Sequence, residues 1–170
     1  MSLPLRDPVA PGQTSVWDYP RRPRVVAEPR ELKVFLGGRL VAWTLKGLRV
    51  EETAHPPLYF FPPTDVDSTT LQASEHPPSL CEFRGMAHYL DVMVTFGDRQ
   101  VTAPAGAYAY LTTLPGYDML THYVSFYAGA MDACLVDGVE ATAQPGGFYN
   151  GWITPDVSGP FKGYLGSEDW

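Results

Sequence analysis

The stretch LKVFLGGRLVAWT at residues 32–44 decides the fold class of this chain. Two apolar runs flank the pair Gly37 and Gly38, and a two-residue loop between such runs predicts a β-hairpin, because glycine readily adopts the positive φ angles of the turn. Residues 86–96 alternate between apolar and polar side chains, and residues 133–136 form a short apolar run, so both segments also predict strands.

The pattern as a whole predicts a mainly β protein of compact antiparallel sheets with short strands. One short helix at most is expected, from Tyr117 to about Val124. Proline (17) and glycine (16) make up about a fifth of the 170 residues, which favours turns over long helices. We expect a single domain over residues 1–170, with an extended arm at residues 1–23 and a packed tail at residues 144–170 that is rich in aromatic residues, glycine and proline.

Composition and charge argue against several classes of protein. The net charge of −7 and pI near 4.9 argue against a nucleic-acid partner, which would normally meet a basic face. No apolar run approaches the length of a membrane helix and no signal peptide is evident, so we expect a cytoplasmic protein with no membrane partner. The two cysteines, Cys81 and Cys134, are too few for a four-cysteine zinc site. Free thiols fit a reducing compartment, and one disulfide is also compatible with the sequence.

Glu52 and His55 form the first candidate site. If Leu48 and Val50 face the core, the strand period carries Glu52 inward with them, and an inward glutamate is costly unless it is paired. His55 lies three residues further on, at the turn made by Pro56. A carboxylate oriented against an imidazole is a general acid–base arrangement, so these two are the candidate catalytic residues. The alternative is that His55 caps the strand end and Glu52 satisfies backbone amides.

Arg84 is a candidate partner for Glu52. Its guanidinium either completes a structural ion pair or binds the carboxylate or phosphate of a ligand. Tyr59 and Tyr89 supply amphipathic walls and Trp152 closes over the pocket, with core packing as the alternative for each. We therefore predict a pocket for a small polar or anionic molecule, with Arg84 and these three aromatic residues as ligand contacts. No metal or other cofactor is predicted.

Cys81 lies three residues before Arg84. A thiol near a cation gains nucleophilic character. No cysteine-enzyme signature surrounds Cys81, and the alternative is a small buried hydrophobic residue.

Four segments spread over the chain carry a resemblance to a known family. They are SVWDYP at 15–20, ETAHPPLYFFPP at 52–63, SLCEFRGMAHYLDV at 79–92 and PGGFYNGWITPDVSGPFKG at 145–163. In these segments the chain resembles the bacterial family called domain of unknown function 427. The resemblance implies a compact β fold arranged like the zinc-knuckle β-tent proteins, without their cysteines.

The chain departs from that family pattern at two motifs. Where the family favours Trp-Lys-Gly this chain has Phe83, Arg84 and Gly85, and a following Trp-x-Tyr element of the family corresponds here to Tyr108, Ala109 and Tyr110. Lysine and arginine are not interchangeable at a shaped site. The family sometimes carries a nucleotidyltransferase-like label, but this chain has neither a P-loop nor a Gly-Ser motif with paired aspartates to hold Mg²⁺ and a triphosphate.

Two functions stay open at this level. The first is a protein that binds a small molecule, with or without enzymatic activity of an unknown kind. The second is a structural or interaction module, in which the aromatic arm and tail serve homodimerisation and the Glu, Arg and Tyr side chains only stabilise the fold.

Overall fold

The computed structural model describes residues 3–170 and consists mainly of β-strands. The strands are β1 (Thr14–Ser15), β2 (Arg24–Glu28), β3 (Leu32–Leu36), β4 (Arg39–Thr44), β5 (Gly47–Glu51), β6 (Leu58–Phe60), β7 (Leu71–Ala73), β8 (Ser79–Cys81), β9 (Gly85–Phe96), β10 (Arg99–Thr113), β11 (Val124–Phe126), β12 (Ala133–Val136), β13 (Val139–Glu140), β14 (Thr142–Ala143), β15 (Trp152–Ile153) and β16 (Val157–Ser158). The predicted fold class is confirmed.

Helical structure in the described range is limited to single 3-10 turns, well short of what crossing a membrane requires. These turns are Val16–Asp18, Pro63–Asp65, Ser68–Thr70, Asp118–Leu120 and Ala128–Ala130. The helix predicted from Tyr117 to Val124 is therefore reduced to one turn. His122 has a φ of 67°, which an α-helix cannot contain, and Val124 already pairs with Ala109 in a strand.

The strands form five small sheets. The largest has the order β11-β10-β9-β7, with β8 also paired to β9; the others are β13-β12-β3-β4, β2-β5-β6, β14-β15 and β1-β16. Neighbouring strands run antiparallel except in the β1–β16 pair, which is parallel. β9 and β10 have 12 and 15 residues and are longer than the short strands predicted.

The hairpin predicted at residues 32–44 is confirmed. Gly37 and Gly38 have φ values of 57° and 75°, as the tight turn between β3 and β4 requires. The alternation in β3 buries Leu32 and Val34 in a core cluster that also contains apolar side chains of β9, β10 and β12. This hairpin therefore packs against the largest sheet.

A buried ion network ties β2 to β5. Glu28 is 1% exposed, and its carboxylate accepts from Arg30 at 2.8 Å and from Arg49 at 3.2 Å. Burial opposes the charge of Glu28, but the hydrogen bonds and charge of Arg30, together with Arg49, hold its pKa below the ordinary value. The carboxylate of Glu51 forms an ion pair with Arg24 at 2.9 Å. The inward, paired carboxylates of this region are thus Glu28 and Glu51.

The predicted arm packs on the predicted tail, and its first two residues lie outside the described range. β1 pairs with β16, joining Thr14 to Val157 and Ser15 to Ser158. Trp17 follows in a 3-10 turn; its indole N–H donates to the carbonyl of Pro160 at 2.9 Å and its ring lies 5.7 Å from that of Trp170. The aromatic residues of the arm are thus buried against the tail of the same chain.

Replacing Trp17 with alanine tests this packing. Trp17 is 7% exposed, so Trp17→Ala should lower the free energy of unfolding by about 3 kcal/mol, measured by urea denaturation. Leu5→Ala removes a side chain that is 93% exposed and should leave stability within about 0.5 kcal/mol of the wild type. Equal stability of both variants would show that the arm does not dock on the tail in solution.

Candidate functional site

A cavity of about 490 Å³ lies between the end of β5, the β8–β9 turn, β10 and the tail. Four of the residues predicted from the sequence line it together: Glu52, His55, Arg84 and Tyr89. Further aromatic and polar groups complete the lining, among them Cys81, Glu82, Tyr108, Tyr110, Tyr127, Phe148, Tyr149, Asn150 and Lys162.

Tyr59 and Trp152 do not reach this cavity. They are 1% and 0% exposed in the core, with ring centroids 5.0 Å apart. The Tyr59 hydroxyl accepts from Arg30 at 3.4 Å, and the indole of Trp152 donates to the carbonyl of Phe126 at 2.9 Å. The structure therefore places these two predicted ligand contacts in the protein interior.

His55 is held in one neutral form by Gln144. The Gln144 carbonyl oxygen accepts from Gly151 N at 3.0 Å, so its Nε2 carries both protons and donates to Lys162 O and to His55 Nδ1, each at 2.9 Å. Nδ1 is then an acceptor, and the imidazole carries its proton on Nε2. Burial, together with the positive charges of Lys162 and Arg84, lowers the pKa of His55 to about 4.

Glu52 and His55 share the cavity but not the predicted hydrogen bond. The ring of His55 is bonded to Gln144, and the bond joining the two residues runs from His55 N to the Glu52 carbonyl at 3.1 Å. Within residues 3–170, no ion pair of 4.0 Å or less joins Glu52 to Arg84 either. Burial raises the pKa of Glu52, although Arg84 and Lys162 oppose this shift. Glu52 is thus a cavity carboxyl without a paired cation.

Arg84 is held rigidly just before β9. A side chain on Gly85, the next residue, would place its Cβ 2.9 Å from the carbonyl oxygen of Thr112, so only glycine permits this approach of β9 to β10. Arg84 Nε donates to Cys81 Sγ at 3.2 Å, and the guanidinium carbon lies 5.8 Å from the centre of the Tyr110 ring. Nη1 is buried and has no hydrogen-bond partner in the described part of the chain.

Tyrosines form the aromatic wall of the cavity. Tyr108 and Tyr110 are two residues apart on β10 and so project from the same face, with ring centroids 5.5 Å apart. Tyr89 lies opposite Tyr108 across the β9–β10 pair, and Tyr127 stacks on Tyr89 at 6.5 Å. The Tyr108 hydroxyl donates to Asn150 at 3.1 Å. Sequence reasoning missed these cavity residues except Tyr89, although the i, i+2 spacing of Tyr108 and Tyr110 was an available indication.

These features define a mainly β protein with an aromatic cavity lined by a partly buried arginine, whose Nη1 has no hydrogen-bond partner in residues 3–170. The chain belongs to the family described as domain of unknown function (DUF427), whose model matches residues 24–137. The resemblance drawn from sequence is thereby confirmed. The segments 52–63 and 79–92 lie inside the match, whereas 15–20 and 145–163 lie outside it. No curated protein matches the chain.

The lowered pKa of His55 predicts a specific loss of stability in acid. Its folded-state pKa lies below the ordinary 6.5, so its stabilising contribution is complete above pH 6.5 and is lost as the pH falls through about 4. Between about pH 7.5 and about pH 4.5, urea denaturation should show the wild type losing about 2 kcal/mol more than His55→Asn. His76→Asn, at the other His-Pro-Pro triplet, is the exposed control. An equal loss in wild type and His55→Asn would contradict the buried, neutral imidazole.

The raised pKa of Glu52 predicts a pH-dependent change in stability of the opposite sign. Because its folded-state pKa is raised, ionised Glu52 destabilises the folded state above its unfolded pKa, and this penalty disappears as the pH falls below that value. Glu52→Gln should therefore raise the free energy of unfolding at neutral pH by on the order of 1 kcal/mol, with the gain vanishing in acid. Glu82→Gln, which changes an exposed carboxylate at the same cavity, is the control. A destabilised Glu52→Gln protein would instead indicate a structural role.

Proposed function

We propose that this protein binds a small molecule through an anionic group, with Arg84 as the residue that contacts the anion. The observation that carries the proposal is the buried Nη1 of Arg84, which has no partner in residues 3–170. A guanidinium offers five N–H donors, and the hydrogen bond found for this one uses Nε on a sulfur, a weak acceptor. Leaving a charged donor buried and unpaired is costly, and a carboxylate or phosphate oxygen would remove that cost.

The charges around the cavity favour a ligand with a single negative charge. Two cationic side chains, Arg84 and Lys162, line it together with two carboxylates, Glu52 and Glu82. Lys162 Nζ already donates to the carbonyl oxygens of two tail residues, at 3.0 and 3.1 Å, which leaves one of its three N–H donors. Arg84 has more donors to offer, and its buried Nη1 has no partner in residues 3–170. A triphosphate would face both carboxylates with too few cations, whereas a monocarboxylate would not.

The wall of the cavity favours a flat, partly apolar body for the same ligand. Rings of Tyr89, Tyr108, Tyr110 and Tyr127 offer faces and edges to a planar group, and their arrangement supports offset or edge-to-face packing. A volume of about 490 Å³ falls within the range of small-molecule sites. The ligand class that fits best is an aromatic or heteroaromatic carboxylate.

His55 has a different role in this proposal from the one its sequence context suggests. With Nδ1 occupied by Gln144, its Nε2–H is a hydrogen-bond donor, and its pKa of about 4 leaves it neutral at physiological pH. We therefore assign His55 to ligand orientation and not to general-base chemistry. Glu52, whose pKa burial raises, is the cavity carboxyl that we assign to proton exchange with the ligand.

Calorimetric titration with benzoate tests the proposal. Benzoate should bind the wild type, and benzamide, which has the same ring without the charge, should bind at least about tenfold more weakly. Arg84→Gln should weaken benzoate binding by about tenfold or more while leaving benzamide unaffected. Arg99→Gln, an exposed arginine at the far end of the β9–β10 hairpin, should bind as the wild type does.

Two results would contradict the proposal. The first is that neither benzoate nor phenyl phosphate binds the folded wild type, and the second is that benzoate binding is unchanged in Arg84→Gln. A purely structural role for the same cluster makes its own prediction: no ligand binds, and Arg84→Gln unfolds at a distinctly lower urea concentration than Arg99→Gln.

A further inference from the structure

We infer that Cys81 is a nucleophile that attacks an electrophilic carbon in an anionic molecule bound to Arg84. The inference rests on the proposed anion site and extends it from binding to covalent chemistry. It is carried by the placement of a thiol and an unpaired guanidinium nitrogen on one cavity, joined through the same side chain.

The nitrogens of the Arg84 guanidinium differ in their hydrogen-bond partners. Nε donates to Cys81 Sγ at 3.2 Å, whereas the buried Nη1 has no partner in the described residues. An anion on the remaining guanidinium nitrogens would be held next to that sulfur, so the arginine would position the substrate for attack by Cys81.

Cys81 is also partly exposed and lines the cavity, so a bound molecule can reach its thiol. It ends β8, lies opposite Gly85 in the β8–β9 pair, and is only partly buried as it lines the cavity. The other thiol of the chain, Cys134, is 1% exposed inside the core, and burial raises its pKa. The protein therefore contains one cysteine suited to reaction and one that serves as an internal control.

The proposed step is a substitution at carbon. The Cys81 thiol gives its proton to solvent, and the sulfur lone pair forms an S–C bond as the bond from carbon to its leaving group breaks. The leaving group departs with that electron pair, and the anionic group stays on Arg84 without changing its own bonds. The co-reactant is thus a small carboxylate with a leaving group on the neighbouring carbon, and no oxidant or reductant is needed.

Iodoacetate and iodoacetamide are a matched pair of probes for this step. Both reagents alkylate a thiol by the same substitution at carbon, but iodoacetate carries a carboxylate and iodoacetamide is neutral. A free thiolate repels iodoacetate, so the ratio of the iodoacetate rate to the iodoacetamide rate in urea-unfolded protein provides the reference. In the folded protein, we expect this ratio at Cys81 to be higher by about tenfold or more, measured by peptide mass spectrometry over time.

Two variants and one internal site control the measurement. Arg84→Gln should return the ratio at Cys81 to the unfolded reference, whereas Arg99→Gln should keep the wild-type ratio. Cys134 should remain unmodified by both reagents in the folded protein, which checks that the chain has not opened. Cys81→Ser should take up no label at this position, because it lacks the thiol.

The outcomes separate the inference from the proposed function. If Cys81 reacts no faster with iodoacetate, relative to iodoacetamide, than in the unfolded chain, while benzoate still binds in an Arg84-dependent manner, then the nucleophile is wrong and the anion site stands. If benzoate binding also fails, the proposed function is wrong. An elevated ratio that persists in Arg84→Gln overturns the inference as well, because Arg84 would then not hold the reacting anion.

Discussion

The buried carboxamide of Gln144 is the interaction on which both the cavity and the packing of the tail depend. Gln144 is 2% exposed, and its three hydrogen bonds reach His55 at the His-Pro-Pro turn and Gly151 and Lys162 within the tail. Gly151 is required there, since a Cβ would lie 2.5 Å from the Gln144 oxygen and 2.6 Å from Pro56. One satisfied amide thus joins the His-Pro-Pro turn to the tail and sets the tautomer of the cavity histidine.

The carboxylates between β2 and β5 and the carboxylate in the cavity differ in their ion pairing. Between β2 and β5, Glu28 and Glu51 are buried with arginines in hydrogen-bonding contact, so desolvation is compensated. At the cavity, Glu52 has no such cation and Arg84 has a nitrogen without an acceptor in the described range. Both cavity groups are retained at a cost in stability, and so is the buried Nε of Arg49 in the β2–β5 network, which likewise has no hydrogen-bond partner in the described residues.

The sequence allowed the fold class to be predicted more fully than the site. Local patterns sufficed for the β3–β4 hairpin and for β9, because turn glycines and side-chain alternation are properties of neighbouring residues. The segment 117–124 was misjudged because a positive φ at His122 and the pairing of Val124 with β10 depend on distant contacts. Glu52, His55, Arg84 and Tyr89 lie in short motifs that could be singled out locally, and the fold brings all four to one cavity.

What the sequence could not provide was the partner of each site residue. Gln144 is 89 positions from His55, and no local pattern indicates that its amide reaches that ring. Tyr59 and Trp152 belong to motifs of the same appearance as the cavity residues, and only the packing of β6 and β15 shows that they point into the core. Side-chain partners across long sequence separations are decided by tertiary packing, not by residue type.

The parallel pairing of β1 with β16 has a mechanical consequence. The two strands lie near opposite ends of the chain and run in the same direction, so a pull on the two termini drags them past one another along their length. The hydrogen bonds between Thr14–Ser15 and Val157–Ser158 are then loaded together in shear and do not open one after another as in a zipper. The Trp17 ring packs on that of Trp170 beside them. This short strand pair is therefore arranged to resist extension of the protein by its ends.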